Sequence, residues 1–279
     1  MKKQILSFIS AAVVAFTGIS SNLAIPFITK AESEYDNINE SELCYNNEWA
    51  YIKYRDHIKL YSYYDFKEEL FLPEMIDNLP VTELRNETSV YDPNGMVLSV
   101  HIPATITDLG SLLGDLPCLE VVKISEDNKS FITENNAVYT SDKTKLIRCL
   151  TTAEGEFTIP DTVTCVESNA FTNCKNLKKI CIPSSVNEMK DTILKGCNSL
   201  ENIEVDENNA VYSSSEGVLF DKTKEKLFRF PASSKNNAYS IPDSVKEIRD
   251  SAFDNALSLE STDIPNSVEI IGESAFMKC

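Results

Sequence analysis

Hydrophobic residues recur along this chain in a Leu-x-x-Ile/Val-x-Ile/Val pattern, with polar residues between them. The last two positions are two residues apart, which predicts a β-strand with one buried face. The pattern occurs at Leu119/Val122/Ile124, Leu177/Ile180/Ile182, Leu200/Ile203/Val205, Leu259/Thr262/Ile264 and Val97/Val100/Ile102. A proline follows several of these runs, and because proline cannot donate a ladder hydrogen bond, it ends the strand and begins a turn.

An Ile-Pro dipeptide marks the same place in successive copies of this pattern. It occurs at 102–103, 159–160, 182–183, 241–242 and 264–265, with Leu72-Pro73 as a weaker copy. Three copies carry a Ser/Asn-Ala-Phe element whose Phe (Phe171, Phe253, Phe276) lies 11 residues after the proline. The chain is therefore a repeat array with a basic period of 23 residues, in which stacked copies share one core.

Two of the intervals between prolines are longer, and the extra segments resemble each other. Each begins with an acidic turn, at 125–128 and 206–209, and continues with short apolar runs. The charged segments SDKTK (141–145) and DKTKEK (221–226) separate these runs. This arrangement predicts a β-hairpin in each insert.

Together these motifs resemble the BspA-like leucine-rich-repeat family of bacterial surface proteins. The resemblance covers residues ~71–279, with 72–84 similar to the segment that leads into the family's first repeat. It implies a mainly β solenoid, a right-handed leucine-rich-repeat horseshoe (α/β-horseshoe class in broad terms), here with two β-hairpin inserts. It also implies binding of macromolecules, often in adhesion, without catalysis. The chain departs from the family pattern at 84–97, which lacks the Ser-Ala-Phe element, and at Leu194, where Phe is expected.

The amino-terminal residues 1–31 have the features of an export signal. Lys2 and Lys3 precede an apolar run at 5–19, and Thr29 and Ala31 provide small residues before a cleavage point after Ala31. An uncleaved membrane anchor is the alternative, but serine, threonine and asparagine interrupt the apolar stretch. We expect a secreted or cell-surface protein with no membrane span after removal of the signal.

Residues 32–70 are predicted to form an amino-terminal β cap before the repeat array at 71–279. Alternating side chains suggest two strands, with Arg55 and Asp56 near the turn. A cap would bury the aromatic residues of this segment. The alternative is a polysaccharide-binding module that exposes its rings, namely Trp49, Tyr51, Tyr54, Tyr61 and Tyr63. At the other end the array breaks off within a repeat at Cys279, and we expect the open end to permit self-association.

The charge of the chain restricts its partners. It has 43 acidic and 26 basic residues and a net charge of -17. Removing three lysines with the signal gives about -17 - 3 = -20. Such a chain lacks the basic surface that nucleic acids and anionic membranes require. We therefore expect no nucleic acid partner, and the family resemblance implies a protein or glycan ligand.

The eight cysteines have two possible roles. Cys174, Cys197 and Cys279 share one repeat position, which favours a row of small buried thiols. Disulfides are the alternative in an exported protein. Cys181 is predicted at an outward strand position as the most exposed thiol.

No motif indicates catalysis, a metal or a cofactor. The chain has two histidines, far apart, and no Cys-x-x-Cys pair. Calcium binding by the acidic turns is an alternative to simple solvation, but the ligand spacing of a strong calcium loop is missing. A hydrolase would need a close carboxylate pair in a cleft, which the abundant acids alone do not identify.

The concave strand face is the default ligand surface of a solenoid. The pattern predicts mixed, increasingly acidic outward positions without aromatic anchors. The candidate binding residues are Glu120, Lys123, Lys178, Lys179, Glu201, Asn202, Glu204, Glu260 and Asp263.

Overall fold

Each Ile-Pro pair lies at the end of a strand, with its proline just outside the strand. The computed structural model describes residues 43–65, 67–89, 92, 95–190 and 193–279, with backbone alone at 86–89. Within these ranges the chain is a β-solenoid with almost no helix, the one described α-helix being α1 (Leu112–Asp115). The predicted export signal at 1–31 lies outside the described residues.

Three antiparallel strands precede the repeats, where the sequence predicted two. They are β1 (Leu43–Tyr45), β2 (Trp49–Lys53) and β3 (Ile58–Tyr63), with Arg55 and Asp56 in the bend before β3 as expected. β3 also pairs in parallel with the long strand β6 (Leu79–Ser89) of the first repeat, beside the short β5 (Met75–Ile76). Trp49, Tyr51 and Tyr63 therefore pack into the first part of the solenoid core, whereas Tyr61 packs with Ala50 and Ile52 in a small separate cluster.

The strands before the Ile-Pro turns form three parallel sheets. The first contains β4 (Glu69–Phe71), β7 (Ser99–Ile102) and β8 (Val121–Ile124). The second contains β12 (Glu154–Thr158), β14 (Asn176–Ile182) and β16 (Asn202–Val205), and the third β20 (Ala238–Ser240) and β22 (Ser261–Asp263). The predicted parallel stacking is confirmed within each sheet, but an insert interrupts the ladder after β8 and after β16.

Each insert is a three-stranded antiparallel unit whose last strand joins the solenoid. The first contains β9 (Phe131–Glu134), β10 (Ala137–Thr140) and β11 (Lys145–Cys149); the second contains β17 (Tyr212–Ser215), β18 (Val218–Asp221) and β19 (Lys226–Arg229). β11 pairs in parallel with β13 (Cys165–Val166), which pairs with β15 (Glu188–Met189). Likewise β19 pairs with β21 (Glu247–Ile248), which pairs with β23 (Ile270–Ile271). The hairpin prediction is confirmed, and the charged segments form the turns.

The same residue types recur in the motif because the backbone conformation or the packing of the core requires them. Two positions, before and after each Ala-Phe pair, have positive φ, which favours Asn and Gly over most residues. Examples are Asn169 (φ 59°), Asn173 (φ 60°) and Gly196 (φ 74°). The Phe rings form a column in the last turns, with centroids 5.2 Å apart for Phe230 and Phe253 and 4.8 Å for Phe253 and Phe276.

Candidate ligand-binding face

Alternate residues of the repeat strands project outward and together form what we call the strand face. It consists of the outward side chains of β4, β7, β8, β12, β14, β16, β20 and β22. None of the nine predicted binding residues is buried. They fall into three groups because the inserts divide the sheets: Glu120 and Lys123; Lys178, Lys179, Glu201, Asn202 and Glu204; Glu260 and Asp263.

An exposed aromatic ring lies at the first of these groups, contrary to the prediction of a face without aromatic anchors. Phe71 is 56% exposed, and its ring stacks on the imidazole of His101 with centroids 3.9 Å apart. The parallel register of β4, β7 and β8 aligns Phe71 with His101 and His101 with Lys123. The strand face therefore begins with a ring, an imidazole and an ammonium group in a row.

Charged and apolar side chains surround this row. The Glu69 carboxylate lies 3.9 Å from His101 Nε2 and 3.8 Å from Lys123 Nζ. Val121, one position before the inward Val122, is 41% exposed. We call Glu69, Phe71, His101, Val121 and Lys123 the aromatic patch.

The sequence missed the aromatic patch because Leu72-Pro73 was a weak copy of the repeat marker. If Leu72 is not counted as the last apolar position of a repeat strand, residues 69–71 show no strand pattern. The two-residue alternation before Leu72, applied as in the other copies, would have placed Phe71 outward.

The middle group is dominated by one lysine between two acids. Lys179 Nζ lies 3.6 Å from a Glu156 oxygen and 2.5 Å from a Glu204 oxygen. The hydrogen bond from Lys179 lowers the pKa of Glu204, and the same contact raises the pKa of Lys179. Lys179 therefore already pairs with acids of its own face, and the two carboxylates leave this part of the face with a net negative charge.

Cys181 lies beside the same acids and is only partly exposed. Its thiol is 3.4 Å from Glu156 Oε1 and 3.7 Å from Glu204 Oε2. Partial burial, followed by the hydrogen bond to Glu156, raises the pKa of this thiol. A thiol held protonated in this way is a poor nucleophile.

Neighbouring groups cover or pair with some of the remaining predicted binding residues. Asn202 packs beneath the second insert, where Gly217 of the hairpin turn approaches its side chain and leaves no room for a Cβ atom. Glu201 pairs with Lys235 at 3.2 Å. Asp263 approaches Ser240 Oγ at 3.5 Å across the third sheet.

Residues 150–279 match the family model described as "BspA type Leucine rich repeat region", in six copies. This region is a BspA-type leucine-rich-repeat array. No curated protein matches the chain.

Solved leucine-rich-repeat structures are similar to the chain at low identity. A protein from Eubacterium ventriosum is 20% identical, with a TM-score of 0.48, and the match covers 83% of this chain and 62% of that one. A leucine-rich cell surface protein from Faecalibacterium prausnitzii is 20% identical (TM-score 0.46; 85% and 74% covered). The pneumococcal vaccine antigen PcpA is 16% identical (TM-score 0.46; 85% and 67% covered). The chain thus spans less than two thirds of the first of these proteins.

The cysteines of the BspA-type array follow the predicted buried row at Cys174 and Cys197, which are both fully buried. None of the eight cysteines, all of which the structure describes, forms a disulfide bond. The most exposed thiol is Cys279 and not Cys181, because the neighbouring acids and strands partly cover Cys181. Cys279 shares the repeat position but not the burial of the other two.

The proposed aromatic ring surface of the amino-terminal strands is not available to a polysaccharide. Trp49, Tyr51, Tyr61 and Tyr63 are each at most 5% exposed, and of the five predicted rings Tyr54 alone is exposed. Trp49, Tyr51 and Tyr63 fill the core between the first strands and the repeats, and Tyr61 lies in a separate buried cluster, so the polysaccharide-binding alternative built on these rings is wrong.

The acidic turns of the inserts have a structural role at their last asparagine. Asn128 and Asn209 are buried and use their side-chain atoms in hydrogen bonds to backbone groups. Among the residues that the structure describes, no three His, Cys, Asp or Glu side chains are grouped so that they could hold a metal ion.

A cleft of about 570 Å³, including its open mouth, lies beside Leu194. Leu194 stands where other repeats have the larger Phe, and Asp250 is the one acid among the lining residues. The carboxylate pair that the hydrolase alternative requires is therefore missing from this cleft. Over the described part of the chain, no helix is both long and apolar enough to cross a membrane.

Proposed function

We propose that the protein is exported and binds an extracellular protein ligand through its strand face, without catalysing a reaction. The observation that best supports this proposal is the exposed Phe71 ring stacked on His101. Binding energy at protein interfaces is concentrated in a few aromatic and arginine side chains at the centre of a patch. Extended solenoid surfaces are also the usual binding surfaces of repeat proteins.

The chemistry around Phe71 indicates the kind of ligand surface that would fit. An apolar side chain of the partner would cover Phe71 and Val121, while charged groups at the rim would meet Glu69 and Lys123. The net charge of -17 attracts partners with a basic surface and would raise the association rate at low ionic strength.

The cellular location and the domain organisation of the protein are proposed from its sequence. The basic, apolar and small-residue segments of residues 1–31 support export and cleavage, so the mature chain would be secreted or held at the bacterial surface. We propose residues 32–70 as the amino-terminal cap and 71–279 as the binding array. Adhesion to a host or neighbouring cell is the function that this combination favours.

Binding is tested with the full mature chain against purified extracellular proteins and a glycan array. Any ligand found is then measured again with Phe71→Ala and with Leu257→Ala as a matched control, since Leu257 is 77% exposed but lies outside the strand face. We expect Phe71→Ala to weaken binding at least ~10-fold and Leu257→Ala to leave it unchanged. Equal binding by both variants would overturn the role of the aromatic patch, and binding to glycans alone would replace the protein ligand by a glycan.

Association with a second copy is a separate candidate, supported by apolar exposure at the last turn. Ile270 and Ile271 are 56% and 53% exposed on β23. Sedimentation of the full chain would show a concentration-dependent dimer that Ile270→Glu abolishes. A monomer at high concentration would exclude this association.

A further inference from the structure

Two buried thiols meet where the first insert joins the next repeat turn. Cys149 ends β11, and Cys174 lies in the turn before β14; both are fully buried. Cys174 Sγ lies 3.5 Å from the Cys149 carbonyl oxygen and 3.6 Å from that of Leu150. Cys149 Sγ lies 3.9 Å from the same Leu150 oxygen, so both thiols contact one carbonyl group.

The second insert provides an internal comparison, because its equivalent positions hold Phe230 and Ala256. The backbone is the same in both: Cys149 N donates to Ala170 O at 2.7 Å, and Phe230 N donates to Ala252 O at 2.7 Å. In the second insert the Phe230 ring packs on the repeat's own Phe253. The first insert replaces this ring by a small thiol at the place where another cysteine faces it.

A buried cation lies beside the pair. Arg148 is fully buried and donates to the Asn169 and Leu116 carbonyl oxygens at 2.6 and 3.0 Å. The hydrogen bond from Cys149, together with the charge of Arg148, lowers the pKa of Cys174, while Cys149 has a raised pKa. In the packed chain, Cys174 is therefore the thiol of the pair that more readily becomes a thiolate.

We propose that Cys149 and Cys174 are a disulfide-forming pair that links the first insert to the following repeat turn in the exported protein. The structure shows the reduced form of this pair. The linkage is independent of any ligand of the strand face. It would hold β11 against the turn at 171–174, where the hairpin joins the solenoid.

The oxidation needs an external disulfide, either a small-molecule disulfide or that of an exported thiol oxidoreductase. Either thiol can react first: the Cys174 thiolate, for example, attacks one sulfur of that disulfide, forming a mixed disulfide and releasing one thiolate. Cys149 gives its proton to the released thiolate and, now itself a thiolate, attacks Cys174 Sγ, which breaks the mixed disulfide and releases the second sulfur as a thiolate. Because both sulfurs are buried in the folded chain, we place this exchange before the hairpin packs onto the turn.

The test compares the full chain secreted into an oxidising compartment with the same chain after reduction. We expect peptide mapping without reductant to recover a Cys149–Cys174 linked peptide and thiol titration of the denatured chain to count 8 - 2 = 6 free thiols. Reduction should lower the midpoint of thermal unfolding by roughly 5 to 10 °C, since the link closes a loop in the unfolded chain.

Two variants separate the link from ordinary packing. Cys149→Ala together with Cys174→Ala should remove the effect of reductant on the midpoint. Cys197→Ala is the control, because Cys197 is equally buried but donates to the Phe171 carbonyl oxygen at 3.0 Å. This control should keep both the linked peptide and the reductant effect. Eight free thiols in the secreted chain, or a link from Cys174 to Cys197, would overturn the proposal.

Discussion

Asn128 and Asn209, one in each insert, make the same set of hydrogen bonds. Asn209 Nδ2 donates to the Pro183 and Val186 carbonyl oxygens, each at 2.8 Å, and its Oδ1 accepts from the Val211 and Tyr212 amides at 2.9 and 2.8 Å. Asn128 has the equivalent partners in the previous unit. Each asparagine thus ties the start of an insert to the turn of the preceding repeat.

Replacement of Asn209 by alanine should strongly destabilise the fold. The substitution leaves two carbonyl and two amide groups without the partner that satisfies them, so we expect a loss of about 3 kcal/mol in the free energy of unfolding. Urea denaturation measures this loss. Asn208→Ala is the control, since the exposed Asn208 side chain donates a hydrogen bond to the Asp206 carboxylate within the same turn, and a change within about 0.5 kcal/mol is expected. Equal effects of the two substitutions would contradict the anchoring role of Asn209.

The repeat strands and turns could be predicted because the same pattern of buried positions recurs in several copies of the repeat. Val245, Ile248 and Phe253 are fully buried, as their shared positions predict. The strands β12 and β20 were not identified, since Glu154 and Asn236 stand where the pattern has Leu. Pairing with neighbouring strands fixes these two segments, and a single-strand pattern does not contain that information.

The candidate site depends more on tertiary register than the fold does. The stacking of Phe71 on His101 requires two strands about 30 residues apart to align in register. No other repeat strand has a phenylalanine or a histidine at the equivalent position. Similarly, the sequence alone predicts a solvated asparagine in each acidic turn, because the carbonyl groups that it contacts belong to the preceding repeat. The sequence therefore predicted the location of the strand face better than its chemistry.

The arginine at the end of each insert should be irreplaceable by lysine. Arg229 is buried and donates to the Ser251 and Asp254 carbonyl oxygens at 2.5 and 3.0 Å from its two Nη atoms. Lysine offers one compact ammonium group that cannot reach both oxygens, so Arg229→Lys should cost about 2 kcal/mol in the free energy of unfolding. Lys235→Arg, at a position with an 85% exposed side chain, is the control and should have almost no effect. A similar stability for Arg229→Lys and the original chain would show that the two carbonyl contacts contribute little.

The lysine in the middle of the strand face should control the ionisation of a neighbouring acid. Because the hydrogen bond from Lys179 lowers the pKa of Glu204, we expect Lys179→Met to raise that pKa towards its ordinary value. Carbon-detected NMR titration of the Glu204 carboxylate measures the change. Lys178→Met removes the adjacent exposed lysine and should leave the Glu204 pKa nearly unchanged. An unaltered titration in Lys179→Met would rule out this contact in solution.

The buried tyrosines predict a loss of stability in alkaline solution. Burial raises the pKa of Tyr63 from 10.0 to about 12, so the folded chain retains a phenol proton that the unfolded chain releases. The unfolded state therefore binds fewer protons above pH 10, and the stability contributed by Tyr63 is complete below that pH and decreases as the pH rises towards 12. Denaturation midpoints measured from pH 8 to 12 should decrease above pH 10, and they should decrease less steeply in Tyr63→Phe, which has no phenol proton. Tyr54→Phe, at an exposed ring, is the matched control and should follow the original chain. If Tyr63→Phe and the original chain lose stability in parallel over this range, ionisation of Tyr63 does not contribute to the alkaline transition.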